Sequence, residues 1–456
     1  MHVSNRSRYL LKMAGHLLHR RPPGQLIIQM TDRCNASCPQ CGMRVSNPFA
    51  RKRIPDDDIK RIIDAAAQNG VDALSFTGGE PMLEMERLLG LIQYAGKAGI
   101  RFIRTGTNGF FLRGSRRDPS RFLNRITGIA AQMAATPLRN FWISLDSCVP
   151  EIHEQMRGFP GVVRGIEKAL PLFHDHGIYP SVNLGINRNV GGRRTAELHL
   201  RDYTNPGQYL SVFYRRYLEA FRRFYQQAID LGFTILNTCY PMSIDAGKTD
   251  GLEAVYAATA SDRVVRFSAA EKALLFGALM ECVAEFRDRI RIFSPLTSLY
   301  MLQRTYRNHP PGHFEAAPCR GGIDFFFIDA QTGETFPCGY RGSDSFGKYW
   351  ELDMKKTDTR SVCRRCDWEC FRDPSELFAP FSQLVCQPVR LLERIRHDSR
   401  YLRFWLSDLR YYAACDFFDG RRPTDPERIK RFSCFSQKQN MPIPSELTET
   451  VSASCR

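Results

Sequence analysis

Three cysteines near the start of the chain, Cys34, Cys38 and Cys41, are spaced Cys-x3-Cys-x2-Cys directly after an apolar, strand-like run, Leu26-Ile27-Ile28-Gln29-Met30. Three thiolates on one loop suit a [4Fe-4S] cube and leave its fourth iron without a protein ligand, where a substrate or cofactor can bind. Thiolates also select zinc or Cu(I), but a zinc site closes with a fourth Cys or His at short range, and none follows closely.

A second group lies far downstream. Cys319-x13-Gly333-x4-Cys338 is followed after a gap by Cys363-x2-Cys366-x3-Cys370, five cysteines within 52 residues. Phe325-Phe326-Phe327-Ile328-Asp329 and Glu334-Thr335-Phe336-Pro337 flank Gln331-Thr332-Gly333 as a hairpin would. Paired knuckles arriving from distant sequence also build zinc ribbons, so zinc is the alternative at this second site. Cys386 is either a distant further ligand or, in the apolar context Leu384-Val385-Cys386, a buried thiol.

These groups need elements to position them. From residue 25 onward short apolar runs alternate with segments of helical period, the pattern of a parallel α/β sheet, with strands predicted at 25–31, 72–77, 100–106, 140–145, 181–187 and 234–240. A first helix follows Pro55-Asp56-Asp57-Asp58, with Ile59, Ile62, Ile63 and Ala66 as its buried face. Ser268-Ala269-Ala270-Glu271 has capping-box spacing and opens a helix to about residue 290. Residues 188–207, with Gly191, Gly192 and Asn205-Pro206-Gly207, read as a long loop without a regular element. The aromatic helix predicted at 208–230 reads as core packing. Ligands of parallel sheets collect at the carboxyl ends of strands. The cysteine loop and three polar segments sit there: Thr77-Gly78-Gly79-Glu80-Pro81, Gly106-Thr107-Asn108-Gly109, and Ile143-Ser144-Leu145-Asp146 with the later Met156-Arg157-Gly158.

Taken together, these segments resemble the radical S-adenosylmethionine (radical SAM) superfamily, over residues 25 to 190 and again at 319 to 370. The second cysteine group is similar to the branch with a C-terminal SPASM or twitch domain, although the longer second half of a full SPASM motif is absent. The resemblance implies an α/β fold: a partial (β/α)6 barrel of the TIM type, a small C-terminal SPASM/twitch-like iron-sulfur domain and a helical extension. Its boundaries would be a basic amphipathic helix at 1–24, the barrel at 25–300, the auxiliary domain at 301–372, the extension at 373–433 and a disordered tail at 434–456. The same resemblance implies that the open iron chelates the amino and carboxylate groups of SAM, and that one electron cleaves it to methionine and a 5'-deoxyadenosyl radical. Gly78, Gly79 and Glu80 would hold the amino group, Ser144 and Asp146 the ribose or methionine end, and Arg157 the carboxylate, with Asn108 assisting. An auxiliary [4Fe-4S] cluster would be ligated by Cys319, Cys338, Cys363 and either Cys366 or Cys370. Gln40 stands where the family usually carries an aromatic residue beside the third cysteine, so adenine stacking must come from elsewhere.

The expected function is a radical SAM enzyme that abstracts hydrogen from a peptide, small metabolite or lipid. A small electron carrier such as flavodoxin or ferredoxin would supply the electron. The competing reading, a non-catalytic iron-sulfur electron-transfer or redox-sensing protein, has no use for Gly78-Gly79-Glu80 and Arg157. Cys148 and Cys239, near strand ends, are either substrate-facing thiols or small buried residues, and Cys282 reads as structural. The chain ends Ser454-Cys455-Arg456, unlike the molybdenum-cofactor cyclase of the same family, which ends Gly-Gly.

Composition fits an enzyme of two domains with extensions: 456 residues, 43% hydrophobic and 25% charged. No apolar run reaches the length of a membrane span, and no signal-peptide pattern opens the chain. Fifteen cysteines in such a chain read as reduced thiolates of a cytoplasmic protein rather than a disulfide framework. The net charge of +16 admits an acidic partner or a solvated basic surface, but no nucleic-acid-binding module is present. Arg6, Arg8, Lys12, Arg20 and Arg21 with Leu10, Met13 and Leu17 form a basic amphipathic segment that would lie on a membrane surface or dock on the barrel.

Overall fold

A computed structural model describes residues 24–36, 38–41, 50–241, 255, 263–307, 316–354, 363–364 and 366–433. The basic N-terminal segment, Cys434, Cys455 and the predicted tail fall outside them, as does the side chain of Cys386. Strand and helix alternate: β1 (Gly24–Thr31), α1 (Asp56–Gln68), β2 (Val71–Gly78), α2 (Met85–Lys97), β3 (Phe102–Thr107), α3 (Pro119–Ala134), β4 (Leu138–Ser144), α4 (Pro150–Arg157), α5 (Val162–Asp175), β5 (Ser181–Gly185), α6 (Arg193–Ala196), α7 (Pro206–Leu231) and β6 (Ile235–Cys239). There follow α8 (Ala269–Phe286), β7 (Arg291–Ile292), α9 (Leu296–Tyr306), β8 (Phe325–Ile328), β9 (Thr335–Phe336), α10 (Glu369–Cys386), α11 (Pro388–His397), α12 (Ser399–Ala414) and α13 (Pro426–Lys430).

Among the described residues one sheet runs β7-β6-β5-β4-β3-β2-β1-β8-β9 without closing on itself. Every neighbouring pair is parallel except β8 with β9. This is the open, TIM-type α/β barrel that the family resemblance implied, with all six predicted strands in place and β7, β8 and β9 added to them. The second cysteine region joins the same sheet, because β8 pairs with β1 in the register Gln25↔Phe325 to Ile28↔Ile328.

The outward residues of the strands are apolar and fully buried under the helices, as with Leu74 and Phe76 on β2, Ile103 on β3 and Ile143 on β4. The predicted face of α1 packs there: Ile59, Ile62, Ile63 and Ala66 are buried. On α7 the aromatic stripe Phe213, Tyr217, Phe221 and Phe224 is core, as read from the sequence. Both halves of the capping box at Ser268 and Glu271 are present, but α8 stops at Phe286, and a tight turn there leads into β7.

One expectation is corrected. Residues 188–207 contain the short helix α6 and a 3₁₀ turn at Leu200–Asp202. Val190 and Thr195 within it are completely buried. Gly192, at φ +65°, turns the chain beside Val149 rather than loosening it, and a Cβ at Gly191 would come within 2.9 Å of Ala220.

The C-terminal helices are clamped to the barrel by Asp408 on α12, which is wholly buried. Its carboxylate accepts from Arg287 Nη2 at 2.5 Å, from the backbone N–H of Leu296 at 3.1 Å and of Thr297 at 2.8 Å, and from Thr297 Oγ1 at 2.5 Å. Replacing Asp408 by Ala leaves Arg287 buried and unpaired, so a loss of roughly 3–5 kcal/mol is expected in denaturant unfolding. A change under about 0.5 kcal/mol, the level of an ordinary surface substitution, would refute the clamp.

Candidate active site

Beyond Thr31 the cysteine loop leaves the ladder and must be fixed by other bonds. The backbone N–H of Gly79 donates to Thr31 O and that of Glu80 to Arg33 O, each at 2.8 Å. Only glycine allows this approach: a Cβ at Gly78 would lie 2.3 Å from Thr31 O, and one at Gly79 2.1 Å from Arg33 O. The close contact these glycines permit is therefore first with the cysteine loop itself. Asp32 secures the other side, its Oδ1 accepting from Lys52 N at 2.6 Å.

Glu80 is 1% exposed and turns inward from this junction. Its carboxylate accepts from Met82 N at 3.1 Å, Thr107 Oγ1 at 2.9 Å and Asn108 N at 2.6 Å. Asn108 in turn donates from Nδ2 to Asn35 Oδ1 at 2.9 Å and approaches Cys34 Sγ at 3.7 Å. The ends of β1, β2 and β3 are thus tied around one carboxyl group. Burial pushes Glu80 up to about 7, against the opposing pull of the Asn108, Thr107 and Met82 donors.

The third polar segment forms its own knot. Arg157 grips Asp146 through Nε at 2.6 Å and Nη2 at 2.9 Å. Gln40 Nε2, on the cysteine loop, donates to Asp146 Oδ2 at 2.9 Å, and Asp146 N–H donates to His153 Nδ1 at 3.1 Å. Burial is the largest single influence and would raise the Asp146 carboxyl, but the Arg157 charge and the side-chain bonds of His153 and Arg157 together outweigh it and hold the group below the usual carboxylate range. The same Arg157 charge bears on the Cys38 thiol, which burial pushes up to about 11. The sequence reading placed Asp146 and Arg157 on different parts of a ligand, whereas here they face each other. Gln40, read from sequence only as a missing aromatic, joins the cysteine loop to β4. Its side-chain partner lies 106 positions away, a pairing no local pattern displays.

Cys34, Cys38, Cys41, Gly78, Gly79, Glu80, Asn108, Ser144, Asp146 and Arg157 all line one cavity of about 470 Å³. That volume lies in the range of small-molecule sites. It runs down into the barrel, where the inward residues of the strands are mixed: polar Ser75, Arg104, Asn140, Asn183 and Asn237 stand among apolar Ile27, Trp142, Ile235 and Phe327. Barrels of this type are normally filled there by branched aliphatic side chains. Cys239 and Cys370 also line the cavity, while Cys148 and Cys282 are buried in the core.

Residues 28–192 match the radical SAM superfamily. That stretch is a domain of the radical SAM superfamily. Its enzymes use a [4Fe-4S] cluster and S-adenosylmethionine, and the thiol loop, the buried acceptor at Glu80 and the adjoining cavity fit that pair. The chain is 22% identical over 320 residues to an AdoMet-dependent heme synthase of Methanosarcina barkeri, covering 70% of this chain and 77% of that protein. It is 32% identical over 145 residues to a GTP 3',8-cyclase of Synechococcus sp., covering 31% of this chain and 38% of that one. Among solved structures, Streptococcus suis SuiB bound to S-adenosylmethionine aligns with a TM-score of 0.48 at 14% identity, covering 85% of this chain and 78% of that chain.

The second cysteine group surrounds a separate, pinched chamber of about 10 Å³ lined by Cys319, Cys338, Cys363 and Cys366. Backbone N–H groups two residues on donate to two of these sulfurs: Gly321 to Cys319 and Tyr340 to Cys338, each at 3.4 Å. Cys370 is not among them. It faces the large cavity beside Glu369, and the ring of Trp368 borders both spaces.

If Glu80 receives the ammonium of SAM, as the family resemblance implies, burial, which pushes its carboxyl up to about 7, would let it present a charge there chiefly above that pH. SAM affinity, measured by anaerobic calorimetry, should therefore rise as pH increases through neutrality. Glu80→Gln should bind at least about tenfold more weakly and lose this dependence. An unchanged pH profile in Glu80→Gln would rule out the role.

Proposed function

We propose that this radical SAM enzyme abstracts hydrogen from a small metabolite, or from one residue of a peptide, held below SAM in the barrel cavity. A second [4Fe-4S] cluster would be held by Cys319, Cys338, Cys363 and Cys366. The observation that carries the reading is the continuity of the cavity from the cysteine loop into the barrel interior, where polar side chains such as Arg104, Asn140 and Asn183 stand among apolar ones. The relatives named above for heme and GTP chemistry point the same way, toward a metabolite. A lipid reached through the basic N-terminal segment is the reading with least support, since that segment lies outside the described residues.

When bound, the cluster and SAM supply one electron and a carbon-centred radical. The chain's own residues do the rest. Glu80 orients the methionine amino group, and Asn108 fixes the cysteine loop through Asn35. Arg157, held by Asp146, sets a positive charge beside Cys38. Ser144 lines the cavity next to this knot and is placed to meet the ribose or methionine end. The electron would come from a flavodoxin- or ferredoxin-like donor.

At the second site a cube takes each thiolate on a different iron, so the thiols need to share a chamber rather than converge on one point. Among the described residues no group of three Cys, His, Asp or Glu side chains closes around a single ion. The space between the four thiols is narrower than a cube, so they must swing apart around it. Four cysteine ligands complete a cube's coordination, and Trp368 stands between that site and the cavity, which favours electron transfer over substrate ligation as the auxiliary role.

Anaerobically reconstituted protein should carry about eight irons, two cubes of four. The Cys34, Cys38 and Cys41 triple Ala variant should keep about four, as should Cys366→Ala, whereas Cys370→Ala should keep about eight. Half the iron lost in Cys370→Ala but not in Cys366→Ala would exchange their roles, and zinc at the second site would overturn the assignment.

A further inference from the structure

The cavity holds a partly buried cation that nothing in the SAM site uses. Arg104 lies in the middle of β3, between Ser75 of β2 and Asn140 of β4 in the strand register. It is four residues before Asn108, about 13 Å lower along the strand. Its Nε donates to Ser75 Oγ at 3.0 Å. Its two terminal nitrogens make no hydrogen bond with a described residue, and the side chain lines the cavity.

A guanidinium keeps its charge in any protein site, and covering it with a bound ligand that offers no counterion is costly. The acids around the cavity are engaged elsewhere. Asp146 is held by Arg157. Glu369 accepts from Tyr240 N–H at 3.2 Å, and Asp373 accepts from Ser298 Oγ at 2.5 Å and Tyr240 OH at 3.1 Å. Among the described residues no carboxylate pairs with Arg104. The ionisable group that bears on its charge is the Cys370 thiol. Neutral Asn140 is its neighbour on β4, and Asn183 and Asn237 line the same cavity, side chains that suit an oxygen-rich ligand.

We infer that the inner end of the cavity is a subsite for an anionic group of the substrate, a carboxylate or a phosphate, held by the fork of Arg104. The inference rests on the reading of the upper end as the SAM site, and it makes the substrate an acid whose reacting carbon lies between Arg104 and SAM. A planar fork with free terminal donors matches either oxyanion in two-point fashion. Neutral substrates would leave the guanidinium unpaired in the closed complex, which is a ground for selectivity against them.

The test titrates succinate and inorganic phosphate separately onto the reconstituted, SAM-loaded enzyme by anaerobic calorimetry. One of the two should bind the wild type in the millimolar range or better, and which one does so assigns carboxylate or phosphate. Arg104→Gln should weaken that binding at least about tenfold while SAM affinity stays within about twofold. Arg104→Lys, which keeps the charge without the fork, should fall between and serves as the decisive variant if the Gln protein does not fold. Equal anion binding by wild type and both variants, or binding of neither anion by the wild type, would overturn the subsite. Failure of the SAM reading would show separately, as wild-type protein that takes no SAM.

Discussion

The carboxylate of Glu80 is buried where the ends of three strands meet, and it accepts donors from the strand that follows its own while its backbone docks on the cysteine loop. A loop carrying three thiols has no ladder to hold it. Here it is held by main-chain bonds that only the pair Gly78-Gly79 can admit, and by the Asn108–Asn35 contact that Glu80 keeps in register. The same residues that would bind the amino group of SAM therefore also place the cluster. Positioning of cofactor and positioning of cluster are one constraint, and a side chain at either glycine would break both.

A second constraint is the division of labour between the two faces of the sheet. The outer faces of the strands carry the apolar residues that pack the helices, so the sheet is stable without a filled centre. The inner faces are then released to carry Ser, Asn and Arg among Ile27, Trp142, Ile235 and Phe327. This division lets one parallel sheet serve as a scaffold on one side and a reaction vessel on the other. Trp368, bordering both the vessel and the second thiol chamber, separates substrate from the proposed auxiliary cluster while keeping them neighbours.

Much of this was legible in the sequence because the signals are local. The six strands are short apolar runs, the α1 face is a clean helical stripe, and the capping box at Ser268 is a four-residue motif. The cysteine triad and the three polar segments were likewise readable, since each ends a strand and the fold gathers strand ends. What escaped was non-local. The Gln40–Asp146 and Arg157–Asp146 bonds depend on which side chains meet across a cavity. The separation of Cys366 from Cys370 depends on the turn into α10, which sends one thiol to each side of Trp368. Glycine and arginine content at 188–207 suggested a loop, but those glycines make tight turns against a packed core. Arg104 was hidden because an arginine in a strand looks like any other until its neighbours are seen to be neutral.

The central claim, that the cysteine loop and the pocket around Glu80 together hold SAM for reductive cleavage, is tested most directly by product analysis under strictly anaerobic conditions. Reconstituted protein given a strong reductant and SAM should release 5'-deoxyadenosine slowly even without substrate, and Cys38→Ala should release none. Equal release by the two proteins, or none by the wild type with its iron in place, would contradict the account.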